Sequence, residues 1–149
     1  MKRLLAIVFA VSLAGSAAAS VGFDFGTNFY RPEGASDVTN GQNFRVSWQL
    51  ENDLALGVYT ESSAVLSVTA VQVLKGVIKG AAVGLNLGSG TDAAAVTETL
   101  VDVFGEVTIL SGAGEKVKGA LKAVAAARFI EGTAVENGVN LIVAVGIEF

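Results

Sequence analysis

Val139-Asn-Leu-Ile-Val-Ala-Val-Gly-Ile-Glu-Phe149 closes the chain, and its alternation decides how everything before it is read. Val139, Leu141, Val143, Val145, Ile147 and Phe149 share one face of an extended strand, because successive side chains point to opposite sides. A period of two sustained over this stretch is what a strand needs when one face meets an apolar medium and the other does not. The length suits a tilted strand crossing a bilayer, which takes about 9–11 residues. A short alternating strand also closes a soluble sheet, so the ending needs support from elsewhere in the chain.

The opposite end supplies some. Met1-Lys-Arg is a positive n-region, Leu4 to Leu13 an apolar h-region, and Ala17-Ala18-Ala19 a small-residue cleavage site, the pattern of a secretory signal. Residues 1–19 are expected to be removed after Ala19, leaving residues 20–149 as one domain. The apolar run is shorter than the roughly 20 residues of a spanning helix. No cysteine follows the cleavage site, which argues against a lipid-anchored lipoprotein.

Composition then narrows the chemistry. Removing Lys2 and Arg3 from the 10 basic residues leaves 8 against 14 acidic ones, a net charge near −6. That balance carries no basic footprint for nucleic acid. Without cysteine there is no disulfide framework, thiolate metal site or thiol nucleophile, and without histidine the usual general base and the commonest transition-metal ligand are missing. Serines have no histidine to activate them.

The mature chain is apolar, but its hydrophobicity is distributed in alternation. In Val21 to Tyr30 the odd positions Val21, Phe23, Phe25, Thr27 and Phe29 oppose Gly22, Asp24, Gly26, Asn28 and Tyr30. In Phe44 to Glu51, Phe44, Val46, Trp48 and Leu50 oppose Arg45, Ser47, Gln49 and Glu51. A three-residue turn at Glu51-Asn52-Asp53 would pair Leu50 with Leu54, Trp48 with Leu56 and Val46 with Val58, and set Arg45 beside Tyr59. Both faces then stay consistent, as register requires.

Extended through the chain, the same pattern predicts eight strands near 21–30, 42–51, 54–62, 65–74, 80–88, 99–110, 117–130 and 139–149. Long polar connectors fall at 31–41, 89–98 and 131–138. Short ones fall at 51–53, 75–79 and 111–116, and the exit of the third strand at 62–64 breaks the rhythm by being short. An even strand number with alternating short and long connections is the pattern of outer-membrane barrels. Gly22, Gly26, Gly57, Gly84, Gly88 and Gly146 keep to the polar face, where a narrow barrel is crowded.

Asp24, Arg45, Glu51, Tyr59, Glu61, Asp102, Glu106, Lys118, Lys122 and Arg128 take the same polar parity. Inside a closed barrel they must pair, because an isolated buried charge is costly. They are therefore expected to form an interior polar network, with Glu106 set against Lys122. No catalytic, cofactor-binding or metal site is expected. Gly88-Ser-Gly90 and Ser111 to Lys116 lack the spacing of a phosphate loop. Asp102 and Glu106 stand about 13 Å apart along a strand, too wide for a glycosidase pair.

The middle of the chain admits a second drawing. Residues 92–104 and 115–130 are rich in helix formers, and Asp92 could cap the first stretch. Against that stand Val101, Val103, Val107 and Ile109, β-branched residues in alternation. Two helices there would make a soluble periplasmic α+β binding or structural domain.

The signal, the strands, the loop rhythm and the terminal Phe together resemble the small outer-membrane β-barrel class of the OmpA transmembrane domain and OmpX. That resemblance implies an all-β, antiparallel up-and-down transmembrane barrel of eight strands in a Gram-negative outer membrane. It implies contact with outer-membrane lipid, and recognition of Val145, Ile147 and Phe149 by the barrel assembly machinery. It also implies a non-enzymatic structural or surface-interaction role, with external ligands meeting the long loops. A narrow channel or hydrophobic-solute conduit is the alternative within the same architecture.

Overall fold

The computed structural model describes residues 20–131 and 137–149. The proposed signal peptide and residues 132–136 of the last loop lie outside them. Eight antiparallel strands follow one another in sequence: β1 Ser20–Pro32, β2 Thr39–Gln49, β3 Leu54–Ser63, β4 Leu66–Ile78, β5 Ala81–Asp92, β6 Thr97–Ala113, β7 Lys118–Glu131 and β8 Gly138–Glu148. Each pairs with its neighbours, and β8 returns to β1, so the sheet closes as an up-and-down barrel. Stretches 92–104 and 115–130 run through β6 and β7 as strands, which removes the α+β drawing. In β6 the β-branched alternation outweighs the helix formers, while alanine-rich β7, with only Val124 and Ile130 β-branched, is held extended by its ladders to β6 and β8.

Closure has a measurable stagger. From Val21 the partners run Trp48, Leu56, Val73, Leu85, Val103, Ala127 and Val139, and then back to β1 at Arg31. The circuit returns ten residues further on (31 minus 21). With about 3.3 Å per residue and 4.8 Å between strands, eight strands so staggered incline by about 41°. Every residue on that circuit before Arg31 is apolar and faces outward.

The first hairpin pairs as its parity requires, with Arg45 opposite Tyr59, Val46 opposite Val58 and Trp48 opposite Leu56. Its turn has Asn52 and Asp53 at φ 59° and 58°, a left-handed conformation those residues tolerate. The Leu50 amide donates to the Leu54 carbonyl at 2.7 Å. Glu51 therefore sits exposed in the turn, because β2 has ended at Gln49 and polar parity no longer means inside.

Two other expectations are corrected. The connectors at 31–41 and 89–98 shrink to 33–38 and 93–96, since pairing continues to Tyr30 with Thr39 and to Thr91 with Thr97. Serines, threonines and amides there face outward along paired backbone, so polarity was a sign of solvent rather than of a loop. Glu106 lies opposite Val124, and Lys122 opposite Thr108. The β6–β7 turn closes with the Gly114 amide donating to Val117 at 2.8 Å, and Ile109 bulges out of the ladder, which together set a register two residues away.

Glycine is required where the wall is tightest. A Cβ on Gly88 would collide with the Thr69 carbonyl oxygen and stand 2.5 Å from the Ala70 Cα, both backbone, whereas one on outward-facing Gly105 would meet nothing within 4 Å. Gly88→Ala is expected to cost about 1–3 kcal/mol, as overpacking does, and Gly105→Ala to stay within about 0.5 kcal/mol. Urea unfolding of the vesicle-inserted barrel measures both, and equal effects would contradict this packing.

Candidate functional site

Alternation sends every second side chain of these strands into the barrel, and the narrow lumen forces them together. Asp24 on β1, Arg45 on β2 and Glu106 on β6 are buried, and Lys122 on β7 is half-buried. Arg45 Nε donates to Asp24 Oδ2 at 2.5 Å, and its Nη1 to Glu106 Oε2 at 2.6 Å. Lys122 Nζ lies 2.9 Å from Asp24 Oδ1 and reaches Glu106 Oε1 at 3.7 Å by a diagonal rather than by direct pairing. Two cations meet two anions in this layer.

A second layer is built on Arg128, whose side chain is fully buried. One edge of its guanidinium holds Asp102, with Nε donating to Oδ1 at 2.8 Å and Nη2 to Oδ2 at 3.0 Å. The other edge holds Glu61, with Nη1 and Nη2 donating to the two carboxylate oxygens at 2.9 and 2.8 Å. Such paired forks are the strongest geometry available to arginine. Tyr59 Oη and Asn140 Nδ2 also donate to Glu61 Oε2, at 2.7 and 2.9 Å. The Tyr30 ring stacks 5.2 Å from the Arg128 guanidinium carbon.

The layers are joined. Arg45 Nη1 donates to Gln72 Oε1 at 3.2 Å, Gln72 Nε2 to Asn86 Oδ1 at 2.8 Å, and Asn86 Nδ2 to Asp102 Oδ2 at 3.1 Å. One hydrogen-bonded chain thus runs from Lys122 to Tyr59 through side chains of seven strands. The sequence pattern of charges did not single out Gln72, Asn86 or Asn140. Their signal was a lone amide at inward parity between apolar neighbours, as in Val71-Gln-Val73 and Leu85-Asn-Leu87.

Lys118 has inward parity but opens β7, and it lies at the rim, exposed and 3.2 Å from Glu148. A long side chain at a strand's first residue reaches water. Below the Arg45 layer the turn end of the barrel opens into a vestibule of about 630 Å³ lined by residues including Gln49, Asp53, Lys79, Thr108, Lys118 and Glu148. Above that layer lies a void of about 20 Å³, room for about one water. Higher still, Leu66, Val68, Leu100 and Ile130 are buried together and cap the lumen at the loop end.

Val145, Ile147 and Phe149 lie on the outer surface, exposed. Val145 pairs with Phe25 and Ile147 with Phe23. Phe149 exchanges backbone hydrogen bonds of 3.0 and 3.2 Å with Val21, and its ring meets Phe23 edge-on at 6.3 Å. The terminal strand is thus the seam that closes the cylinder.

No family model matches the chain, and no curated protein does. Solved structures do. The crystal structure of Neisserial surface protein A superposes with a TM-score of 0.59 at 13% identity, covering 87% of this chain and 94% of that one. The Yersinia pestis outer membrane protein Ail, solved in a phospholipid bilayer nanodisc, gives 0.58 at 9% identity, covering 87% and 99%. The fold is therefore that of small outer-membrane barrels.

The Arg128 layer yields a test. Arg128→Met leaves Glu61 and Asp102 facing each other without a cation and is expected to cost about 3–5 kcal/mol, whereas adding Glu61→Gln and Asp102→Asn recovers most of that loss. Urea unfolding followed by Trp48 fluorescence reads both. A single variant as stable as the parent chain would show that the double fork contributes nothing.

Proposed function

We propose that the chain is a non-enzymatic outer-membrane barrel with a structural or surface-interaction role. It would be exported by residues 1–19 with cleavage after Ala19, inserted through the assembly machinery by Val145, Ile147 and Phe149, and held there by lipid. The observation that carries this reading is the filled lumen. Among the described residues, charges pair across it in two layers and an apolar cap lies above them. Contact with external partners falls to the connectors at 33–38 and 93–96 and to the last loop, where the sequence sets Glu33, Asp37, Asp92, Glu98, Glu131 and Glu136 against one base, Arg31. Such a rim favours cationic or divalent-bridged partners.

A narrow conduit is the second reading, favoured only by the vestibule, which stops at Arg45. Planar-bilayer recording separates the two. The filled barrel is expected to give no steady discrete openings, and their appearance would transfer the assignment to the conduit. Assembly has its own test: deleting Phe149, or making Phe149→Asp, should leave export intact and abolish heat-modifiable protein in the outer membrane. Undiminished folded protein there would remove the sorting role from the terminal strand.

A further inference from the structure

The exterior changes chemistry along one hydrogen-bonded line. Val58, Val71, Leu87, Val101 and Phe129 are paired neighbours across β3 to β7, all apolar and outward-facing. The next outward line, Thr60, Thr69, Ser89, Thr99 and Glu131, is polar throughout. Beyond it on β3 to β6 come Ser62, Ser67, Thr91 and Thr97, polar again.

Because strands incline by about 41°, such a line does not run level: it climbs about 3 Å per strand, while one residue along a strand rises about 2.5 Å. Heights measured from Val21 follow. The lower apolar edge is flat on β1, β3, β6 and β8, with Val21, Leu54, Leu110 and Ile147 within about 3 Å of one level, and is interrupted on β4 by outward Lys75 about 4 Å up. The upper edge is slanted, at about 11 Å on β3 (Val58), 14 Å on β4 (Val71), 24 Å on β7 (Phe129), 22 Å on β8 (Val139) and 13 Å on β2 (Phe44). One wall of the barrel therefore carries the full apolar band of about 25 Å expected of this architecture, and the opposite wall little more than half of it.

Two further observations accompany the slant. Aromatic rings mark the upper edge at both levels, Phe44 on the short wall, in ring contact with Phe25 at 4.7 Å, and Phe129 on the tall one. Interfacial aromatics do this in outer-membrane barrels. Where the short wall turns polar outside, β2 and β3 keep Asn43 and Glu61 inward. On β4 the inward residues there turn apolar, with Leu66, Val68 and Ala70 inward while Ser67 and Thr69 face out. That is the inside-out order of a sheet in water.

We propose that the β2–β4 wall thins the bilayer beside it, so that the headgroup layer descends onto Gln42, Thr60, Ser62, Ser67 and Thr69. The patch is uncharged, and each hydroxyl and amide both donates and accepts, which suits the hydrated headgroup layer rather than hydrocarbon. A wedge-shaped belt meets lipid by local thinning of this kind at modest cost.

The proposal rests on the barrel being inserted in a membrane, and the experiment keeps the two apart. In a Trp48→Phe background, single tryptophans are placed as two height-matched pairs, Thr69→Trp with Ala127→Trp and Ser62→Trp with Val139→Trp. Each full-length variant is folded into phosphatidylcholine vesicles with or without acyl-chain bromine, and quenching by bromine and by aqueous acrylamide is compared. Bromine should quench positions 127 and 139 at least about twofold more than 69 and 62, with acrylamide showing the reverse order. Equal bromine quenching within each pair overturns the thinning. Positions 69 and 62 shielded from both quenchers would also overturn it, by showing a second copy seated on the wall. No bromine quenching at any of the four would instead refute membrane insertion itself. Either pair suffices if a variant of the other does not fold.

Discussion

Closure is the constraint from which the rest of this molecule follows. In hydrocarbon no water is available to satisfy a free sheet edge, so a strand protein there must pair its last strand with its first. Here β8 pairs with β1 over eleven residue positions, from Gly22 with Glu148 to Pro32 with Gly138, and Phe149 extends the seam to Val21. Eight strands with a ten-residue stagger give a lumen just wide enough for side chains. Everything inside is then decided by what can share that space.

Charge sharing follows from the same closure. Inward parity brings Asp24, Arg45, Glu61, Asp102, Glu106, Lys122 and Arg128 into one tube, where an unpaired charge would be expensive. The cations are placed to serve several anions at once: Arg45 between Asp24 and Glu106, Arg128 between Glu61 and Asp102. The lower layer balances two charges against two, while the upper sets one guanidinium against two carboxylates. Its excess is met by donors without charge, namely Tyr59, Asn140 and Asn86. Amides and a phenol thus complete what the charged residues begin, and they bind the two layers into one network.

Parity made most of this architecture legible. It set the eight strands, the antiparallel order and the register of the first hairpin, because a one-residue slip would reverse both faces. What parity lacks is length information. Nothing in the pattern of Ser89 to Glu98 or Arg31 to Gly41 separates paired backbone with hydroxyls outside from an unpaired loop, so strand ends were read short. Nor can alternation find a bulge: the turn register of Leu110 with Leu121 would set Lys122 opposite Ile109, and bulging Ile109 out brings Lys122 to Thr108, still two residues short of Glu106. Glu51 and Lys118 show the converse, since parity continued past the last interior position of a strand into turn or rim. The amides Gln72, Asn86 and Asn140 carry no charge, so the pattern of charges along the chain does not mark them.

One strand changes its apolar phase without changing its register. In Leu66-Ser-Val-Thr-Ala-Val-Gln-Val-Leu74 the backbone keeps a single register, yet the apolar phase shifts by one residue at Ala70. Before it, Leu66 and Val68 point inward and Ser67 and Thr69 outward; after it, Gln72 points inward and Val71 and Val73 outward. A soluble sheet would hold the first phase throughout, and a fully immersed one the second. For the membrane barrel proposed above, the change of phase marks the level at which the exterior passes from lipid to water. Since hydrogen-bonded neighbours are linked by inclined lines, the same switch on adjacent strands falls at successively greater heights. The slant is nonetheless a choice of residues, since the same staggered cylinder keeps its lower apolar edge level on β1, β3, β6 and β8.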